Sequence, residues 1–384
     1  MASPMRWRRL LAGPALALAA ALAAVGCASA TAGTSGNSAG LPARDAAAIT
    51  TAQASQAFNT YVATTAKALR TGDAPLALSV VTGALRSTLA AAFKVYSAYS
   101  TPSAPGGSTA YSSTLRLTPV PYTYGTPTFY LPQPAGYPRF FVADVTRSVK
   151  GSNTAAGTVT SIGGAQVPVD GPALMLFEQS TAAGPWRLAS VSQFPAGITL
   201  PRLATDGNGD IPQVPLASTG LVAQPYATGP LQAAVVDDGP ASAAAKAVAA
   251  GPLTTSMYQS ARDRSSNGLH APSGDIYQWD MEGTAYPAFA LRTADGGALV
   301  LYAMYLNSMV ATPSYINKGD PIEPGPPIEV PANLSPLLPA DQPTPRTVLE
   351  AQELFTFAAI DPPAGSSKVQ VIAVGGGLNY AVAS

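Results

Sequence analysis

A chain of 384 residues with one cysteine, Cys27, cannot be held together by an internal disulfide. Its fold must rest on a buried apolar core. With 47% hydrophobic residues and length for two domains of ordinary size, it can build one. The setting of Cys27 gives the thiol a different task. Arg6, Arg8 and Arg9 form a positive n-region, an apolar run extends from Leu10 to Val25, and Ala24-Val25-Gly26-Cys27 follows. This is the small-residue pattern at which a bacterial lipoprotein leader is cut and the cysteine lipidated. The run is Ala-rich and shorter than the roughly 20 apolar residues of a spanning helix. The expectation is a signal peptide over residues 1–27, with lipidated Cys27 holding the rest at the outer face of a cell membrane.

Charge is sparse and balanced, 21 basic against 21 acidic side chains. Loss of the three leader arginines leaves a net charge of about −3. No basic patch is present, which excludes nucleic acid and electrostatic membrane binding as partners. The sequence implies no cofactor. Richness in Ala, Gly, Pro and Thr fits a high-GC actinobacterium.

Residues 28–44 are small, polar and aperiodic, and read as a flexible tether. Beyond Asp45, Phe58, Tyr61, Val62 and Leu69 fall at helical spacing and Gly72 supplies a stop. Asp73 reads as an N-cap with Pro75 in the first turn. A second helix is predicted with Leu78, Val81, Leu85, Leu89, Phe93 and Tyr96 on one face. Strands are predicted near residues 126–131, 139–147, 173–179 and 186–194. A Gly/Pro/Asp-rich stretch over 198–230 reads as a linker, and then the order repeats. Helical segments near 241–250 and 253–264 precede strands near 276–281, 288–293, 299–307, 354–360 and 369–374. The fold class expected is α+β: two duplicated domains, 45–197 and 231–384, each with N-terminal helices on a curved antiparallel sheet. Two short matches support a duplication: Gly136-Tyr137-Pro138-Arg139-Phe140 with Ala285-Tyr286-Pro287-Ala288-Phe289, and Ala173-Leu174-Met175-Leu176-Phe177 with Ala298-Leu299-Val300-Leu301-Tyr302.

The leader, the helical opening and segments such as Tyr137-Pro138-Arg139-Phe140-Phe141-Val142-Ala143-Asp144 and Pro185-Trp186-Arg187 resemble a group of uncharacterised actinobacterial lipoproteins. That resemblance implies no activity. In element order, each half is also similar to a cystatin-like or nuclear-transport-factor-2-like cone, an analogy of shape.

Chemistry-bearing motifs are few. Gly36-Asn37-Ser38-Ala39-Gly40 has the Gly-x-Ser-x-Gly pattern of a nucleophile elbow, but it sits in the tether with no strand before it. His270 is the only histidine. It falls in an Asn-Gly and Pro-Ser-Gly loop, which favours a bystander over a catalytic base. Asp206-Gly207-Asn208-Gly209-Asp210 opens like a calcium loop, yet Ala217 stands where the closing Glu belongs. Asp237 with Asp238, and Glu350 with Glu353, are imaginable acid/base pairs, though solvated carboxylates are the rule. Trp186 and Trp279, one in each half, read as sheet anchors. No catalytic, cofactor or metal residue is assigned, and Cys27 is the one site. The function expected is a binding or scaffolding module of the cell envelope, with an envelope protein or a small apolar molecule as partner. The alternative is a hydrolase of envelope polymers using a carboxylate or Ser/His site.

Overall fold

The computed structural model describes residues 49–100, 121–133, 136–149, 159–162, 165–266, 275–316, 324–342 and 344–384. Cys27, the tether with Ser38, and His270 lie outside them. Asp45–Ser384 form one compact unit.

Helix α1 (Thr51–Thr71) starts with a capping box. The Thr50 hydroxyl accepts from Gln53 N–H, and the Gln53 carboxamide accepts from Thr50 N–H at 2.9 Å. It ends on Gly72 at φ 65, a left-handed conformation natural to glycine. Asp73 then caps α2 (Ala74–Ser79), accepting from Leu76 N–H at 2.9 Å. The helix expected to run on through Val81 is interrupted. Thr82 N–H donates to Leu188 C=O at 2.9 Å, and Leu188 N–H to Val80 C=O at 3.0 Å, before α3 (Gly83–Ser100) begins. Apolar periodicity continues across the break because the Val81 side chain is buried like its helical neighbours, so spacing alone cannot reveal it.

The first half supplies β1 (Tyr122–Tyr124), β2 (Thr128–Tyr130), β3 (Arg139–Val149), the separate hairpin β4 (Val159–Ile162) and β5 (Ala165–Pro168), β6 (Gly171–Gln179) and β7 (Arg187–Gln193). The second supplies α4 (Thr228–Asp238), α5 (Thr255–Ser266), β8 (Ile276–Gly283), β9 (Phe289–Arg292), β10 (Ala298–Ala311), β11 (Val348–Asp361) and β12 (Gln370–Ala383). Helix α4 escapes the sequence pattern because its buried face carries Thr228, Gly229 and Gln232 beside Val235 and Val236, while Pro230, Leu231 and Ala234 stand on the more exposed face. Strands of both halves enter one antiparallel sheet ordered β1-β3-β6-β7-β12-β11-β10-β8, with β2 beside β1 on β3 and β9 beside β8 on β10.

Side-chain alternation shows that this sheet folds over on itself. Phe141, Phe177 and Leu188 point outward against Phe58 and Tyr61 of α1. Tyr302, Phe355 and Phe357 point outward on the other half against Val235 and Val236 of α4. The opposite faces meet in the middle, where Phe140, Val142, Leu174 and Leu176 pack on Phe289, Leu291, Leu299 and Leu301. The Phe140 and Phe289 rings stand 4.3 Å apart. The layers are therefore helix, sheet, sheet, helix. Each such buried side chain contributes about 1.5–3 kcal/mol.

The crease is the β7–β12 seam, where Gln193 pairs with Val374. Ser192 Oγ bonds Thr356 Oγ1 at 3.1 Å, and Thr356 Oγ1 donates to Val191 C=O at 3.3 Å. Helix α3 packs along β12 beyond the crease, with Ala91 and Val95 against Ala381 and Ala383, and protects that edge. The Gly/Pro/Asp-rich stretch after β7 is an ordered strap. Ile211 N–H donates to Leu131 C=O at 2.8 Å and Val214 N–H to Ala290 C=O at 3.0 Å, tying the outer edges of the halves together.

Glycine is required at the crease. A Cβ on Gly375 would stand 1.7 Å from Val191 O, whereas one on Gly377 meets nothing within 4 Å. Gly375→Ala should therefore cost about 3 kcal/mol or more in urea unfolding. Gly377→Ala should stay within about 1 kcal/mol of the parent. Equal midpoints for the two variants would refute this account of the crease.

Candidate functional site

Strands β10, β11 and β12 each run 14 residues, while β6 and β7 run 9 and 7. The inner face of the second half therefore outlasts its partner, and the overhang is partly open to solvent, with Leu354 buried at its inner end against Ala84 of α3. Cross-strand pairing arranges it as three rows over β8, β10, β11 and β12. One row is Gln278, Met309, Glu350 and Val382. The middle row is Asp280, Asn307, Gln352 and Tyr380. The third is Glu282, Tyr305, Leu354 and Gly377.

The middle row is a hydrogen-bonded ladder. Asn379 Nδ2 donates to Gln352 Oε1 at 2.7 Å, Gln352 Nε2 to Asn307 Oδ1 at 2.8 Å, and Asn307 Nδ2 to Asp280 Oδ2 at 3.3 Å. A carboxylate only accepts, so Asp280 sets the direction of every amide behind it. Tyr380, 41% exposed, stands at one end, and Tyr305 lies beside Tyr286, whose hydroxyl bonds Ser87 Oγ at 3.0 Å. The rows hold three carboxylates, three carboxamides and two tyrosines, with no Lys or Arg.

Burial and the neighbouring carboxylates set the electrostatics. Burial pushes the Asp280 carboxyl above its usual range, and neighbouring Glu282 adds to the effect. Asp237, at the end of α4, accepts from Met281 N–H at 2.9 Å. Burial first, then Asp280, Asp238 and Glu282, push it up to about 7. Burial also raises the Tyr380 hydroxyl, reinforced by Glu350 and Glu282.

The other sequence candidates fall elsewhere. Asp206 spends its carboxylate on its own turn, accepting from Asn208 N–H at 2.8 Å, Asp210 N–H at 3.0 Å and Gln133 Nε2 at 2.9 Å. That is a loop-closing role. Glu350 and Glu353 project from opposite faces of β11, because three residues along a strand invert the side. Asp238 is exposed and acts on Asp237 through its charge. Trp186 packs edge-on to Phe141 at 5.1 Å, and Trp279 packs against the α4 side of the sheet. The cleft between the inner faces, beneath Tyr286 and beside Glu178, Ser190 and Thr356, holds only about 30 Å³. A groove of about 430 Å³ lies outside on the helices, lined by Ala74, Leu78, Phe93 and Tyr96. Among the described residues, no group of three or more His, Cys, Asp or Glu could hold a metal, and no helix is long and apolar enough to cross a membrane. Sequence reasoning missed the ladder because its four members lie on four strands far apart in the chain. The legible signal was polar residues at alternate positions late in β10 and early in β11.

Residues 45–379 match a family described as a domain of unknown function, DUF8094. An uncharacterised lipoprotein of Streptomyces coelicolor is 28% identical over 256 residues, 66% of this chain and 65% of that relative's length. No solved structure matches the chain.

The raised Asp237 carboxyl makes stability depend on pH. The folded state favours its neutral form, so this stabilisation is complete below the unfolded value near 3.8 and is lost as pH rises through about 7. Asp361 acts in the same sense, pushed up to about 6 by burial. Asp237→Asn keeps the acceptor for Met281. It should melt with the parent near pH 4 and be more stable than the parent by about 1–2 kcal/mol at pH 8. Parallel melting curves across that range would show that Asp237 ionises normally.

Proposed function

We infer a function from the premise that the chain belongs to DUF8094, a family of domains of unknown function: it is an envelope lipoprotein that uses the ladder face to hold a ligand. Anchoring is supported by the leader ending at Cys27 and by the likeness to a Streptomyces lipoprotein. In this reading Cys27 carries the acyl chains, the leader is removed, residues 28–44 form the tether, and the folded unit faces outward from the membrane.

The ladder carries the ligand assignment. Fixed amide and carboxylate groups beside the Tyr380 and Tyr305 rings suit a hydroxyl-rich molecule such as an envelope glycan, giving paired hydrogen bonds and an aromatic contact. Three carboxylates without a cation disfavour phosphate and other anions at this face.

We also read the fold as two copies of one α+β unit, 45–197 and 231–384, joined through 198–230. Each half is a set of helices followed by a broken edge strand and a three-strand meander, the order of a cystatin-like or nuclear-transport-factor-2-like cone. The bond pair that interrupts the helices at Val81 recurs in the second half. There Ala249 N–H donates to Val369 C=O and Val369 N–H to Ala247 C=O, each at 2.8 Å. Pairing outward from the crease equates Gln193 with Val374, then Ala173 with Phe357, Val145 with Tyr302 and Arg147 with Met304. The short sequence matches fall instead on β3 with β9 and on β6 with β10, strands that this pairing does not equate. The repeat therefore rests on topology.

A hydrolase remains the second reading, favoured by the raised Asp237 and Asp280 carboxyls near Glu282. Cosedimentation with insoluble envelope glycan separates the readings. The parent should be retained intact, while Tyr380→Ala and Asn307→Leu should weaken retention about tenfold or more, near 1.4 kcal/mol. Release of soluble sugar by the parent, abolished in Asp280→Asn, would select the hydrolase. Retention unchanged in both variants would remove the ladder from the account. For the anchor, Cys27→Ala should lose incorporation of a palmitate analogue, and equal labelling of parent and variant would defeat it.

A further inference from the structure

On the helix side of the first half, β3 ends in a cation that has no counter-charge in an ion pair among the described residues. Arg147 shares a face with Phe141, Ala143 and Val145. Its cross-strand neighbour on one side is Gly171, which has no side chain to obstruct it. The guanidinium reaches Gln193 and donates from Nη2 to Gln193 Oε1. Gln193 is itself 3% exposed and fixed by its bond from Nε2 to Val169 C=O at 3.1 Å. On the other side the guanidinium carbon lies 4.3 Å from the centre of the Tyr122 ring. The charge is thus oriented by an amide and an aromatic face, while its Nε–H is buried with no acceptor. The nearby Asp170 carboxylate is turned to the backbone, accepting from Val149 N–H at 2.7 Å.

Two further hydroxyls border this point. Tyr124, the other cross-strand neighbour of Arg147, hydrogen-bonds Tyr61 of α1. Burial holds both phenols in their protonated, donating form. Packing does not require an arginine here. Met304, the residue in the corresponding place of the second half, is 2% exposed and seals its sheet against α4, where a Cβ on Gly229 would lie 2.7 Å from its sulfur.

We propose that Arg147, with Tyr122, Tyr124 and Gln193, forms a binding site for an oxyanion group, a carboxylate or a phosphate. Two oxygens on one centre match the fork of guanidinium N–H donors, with the unpaired Nε–H as one tine. The Tyr61–Tyr124 pair offers a hydroxyl to the same oxygens, and Gln193 holds the fork in place. This site is on the opposite side of the sheet from the ladder face and does not depend on it.

The test is thermal unfolding of the full chain in neutral detergent at constant ionic strength, with sodium phosphate, glycerol phosphate or acetate replacing chloride. The parent should be stabilised by at least one of these oxyanions, with half-effect below about 10 mM. Arg147→Met should show no response, and Arg147→Lys, which keeps the charge and loses the fork, should need about tenfold more ligand or greater. A response to phosphate and its ester alone names a phosphoryl group, and one to acetate alone names a carboxylate. Should the Met variant fail to fold, the Arg147 Nε–H resonance of the parent must shift on saturation. No oxyanion effect beyond chloride, an equal response in parent and Arg147→Met, or an unmoved Nε–H signal overturns the proposal.

Discussion

The close approach of Gly375 to the Val191 carbonyl is the contact on which the architecture turns. Elsewhere the sheet is joined by long ladders, such as the fourteen consecutive pairs of β10 with β11. At the crease the two half-sheets share the Gln193–Val374 pair, reinforced by Ser192 and Thr356. A short junction lets the sheet turn sharply, and the turn brings the Phe140 and Phe289 faces together. Any side chain at Gly375 would push the strands apart and open the inner core. The strap through Ile211 and Val214 then fastens the far edges, so the central layer is held from both sides.

The exposed ladder is a consequence of that fold. Because β10, β11 and β12 are longer than β6 and β7, folding cannot cover their inner face completely. Chains that leave such a surface bare risk association through apolar side chains. Here its alternate positions carry Asn307, Gln352, Asp280 and Glu350, whose polar groups satisfy one another or face water. The amides are ordered by one another, which under the proposed function lowers the entropy lost on binding.

Much of this was legible in the sequence, and the losses have specific causes. The Gly72 stop, the Asp73 cap, and the strands around Phe141, Leu176, Leu301 and Phe357 follow from local rules and stand where those rules put them. The break at Val81 is invisible locally because it depends on Leu188, and α4 is hidden because polar Thr228 and Gln232 lie on its buried face and Leu231 and Ala234 off it. The order of the strap was also hidden. Gly, Pro and Asp mark irregular backbone, and they leave open whether that backbone is bonded to something else. The ladder needed the register of four strands, and Arg147 looked like any strand-end arginine until its neighbours were known.

The two candidate sites differ in charge for a reason rooted in the two halves. In the proposed reading of two copies, Arg147 on β3 and Met304 on β10 stand at corresponding places. The second half closes its helix–sheet interface with the thioether and offers its opposite, acidic face to solvent. In the first half a guanidinium stands at that interface, among tyrosines and beside a glycine. A packing role alone would favour methionine at both positions, since a buried N–H without an acceptor costs about 1–3 kcal/mol. The proposed oxyanion supplies the acceptor that the described residues do not. A chain with few charges thus separates its electrostatics by half, an acidic face over β8, β10 and β11 and an arginine at the end of β3, within a single sheet.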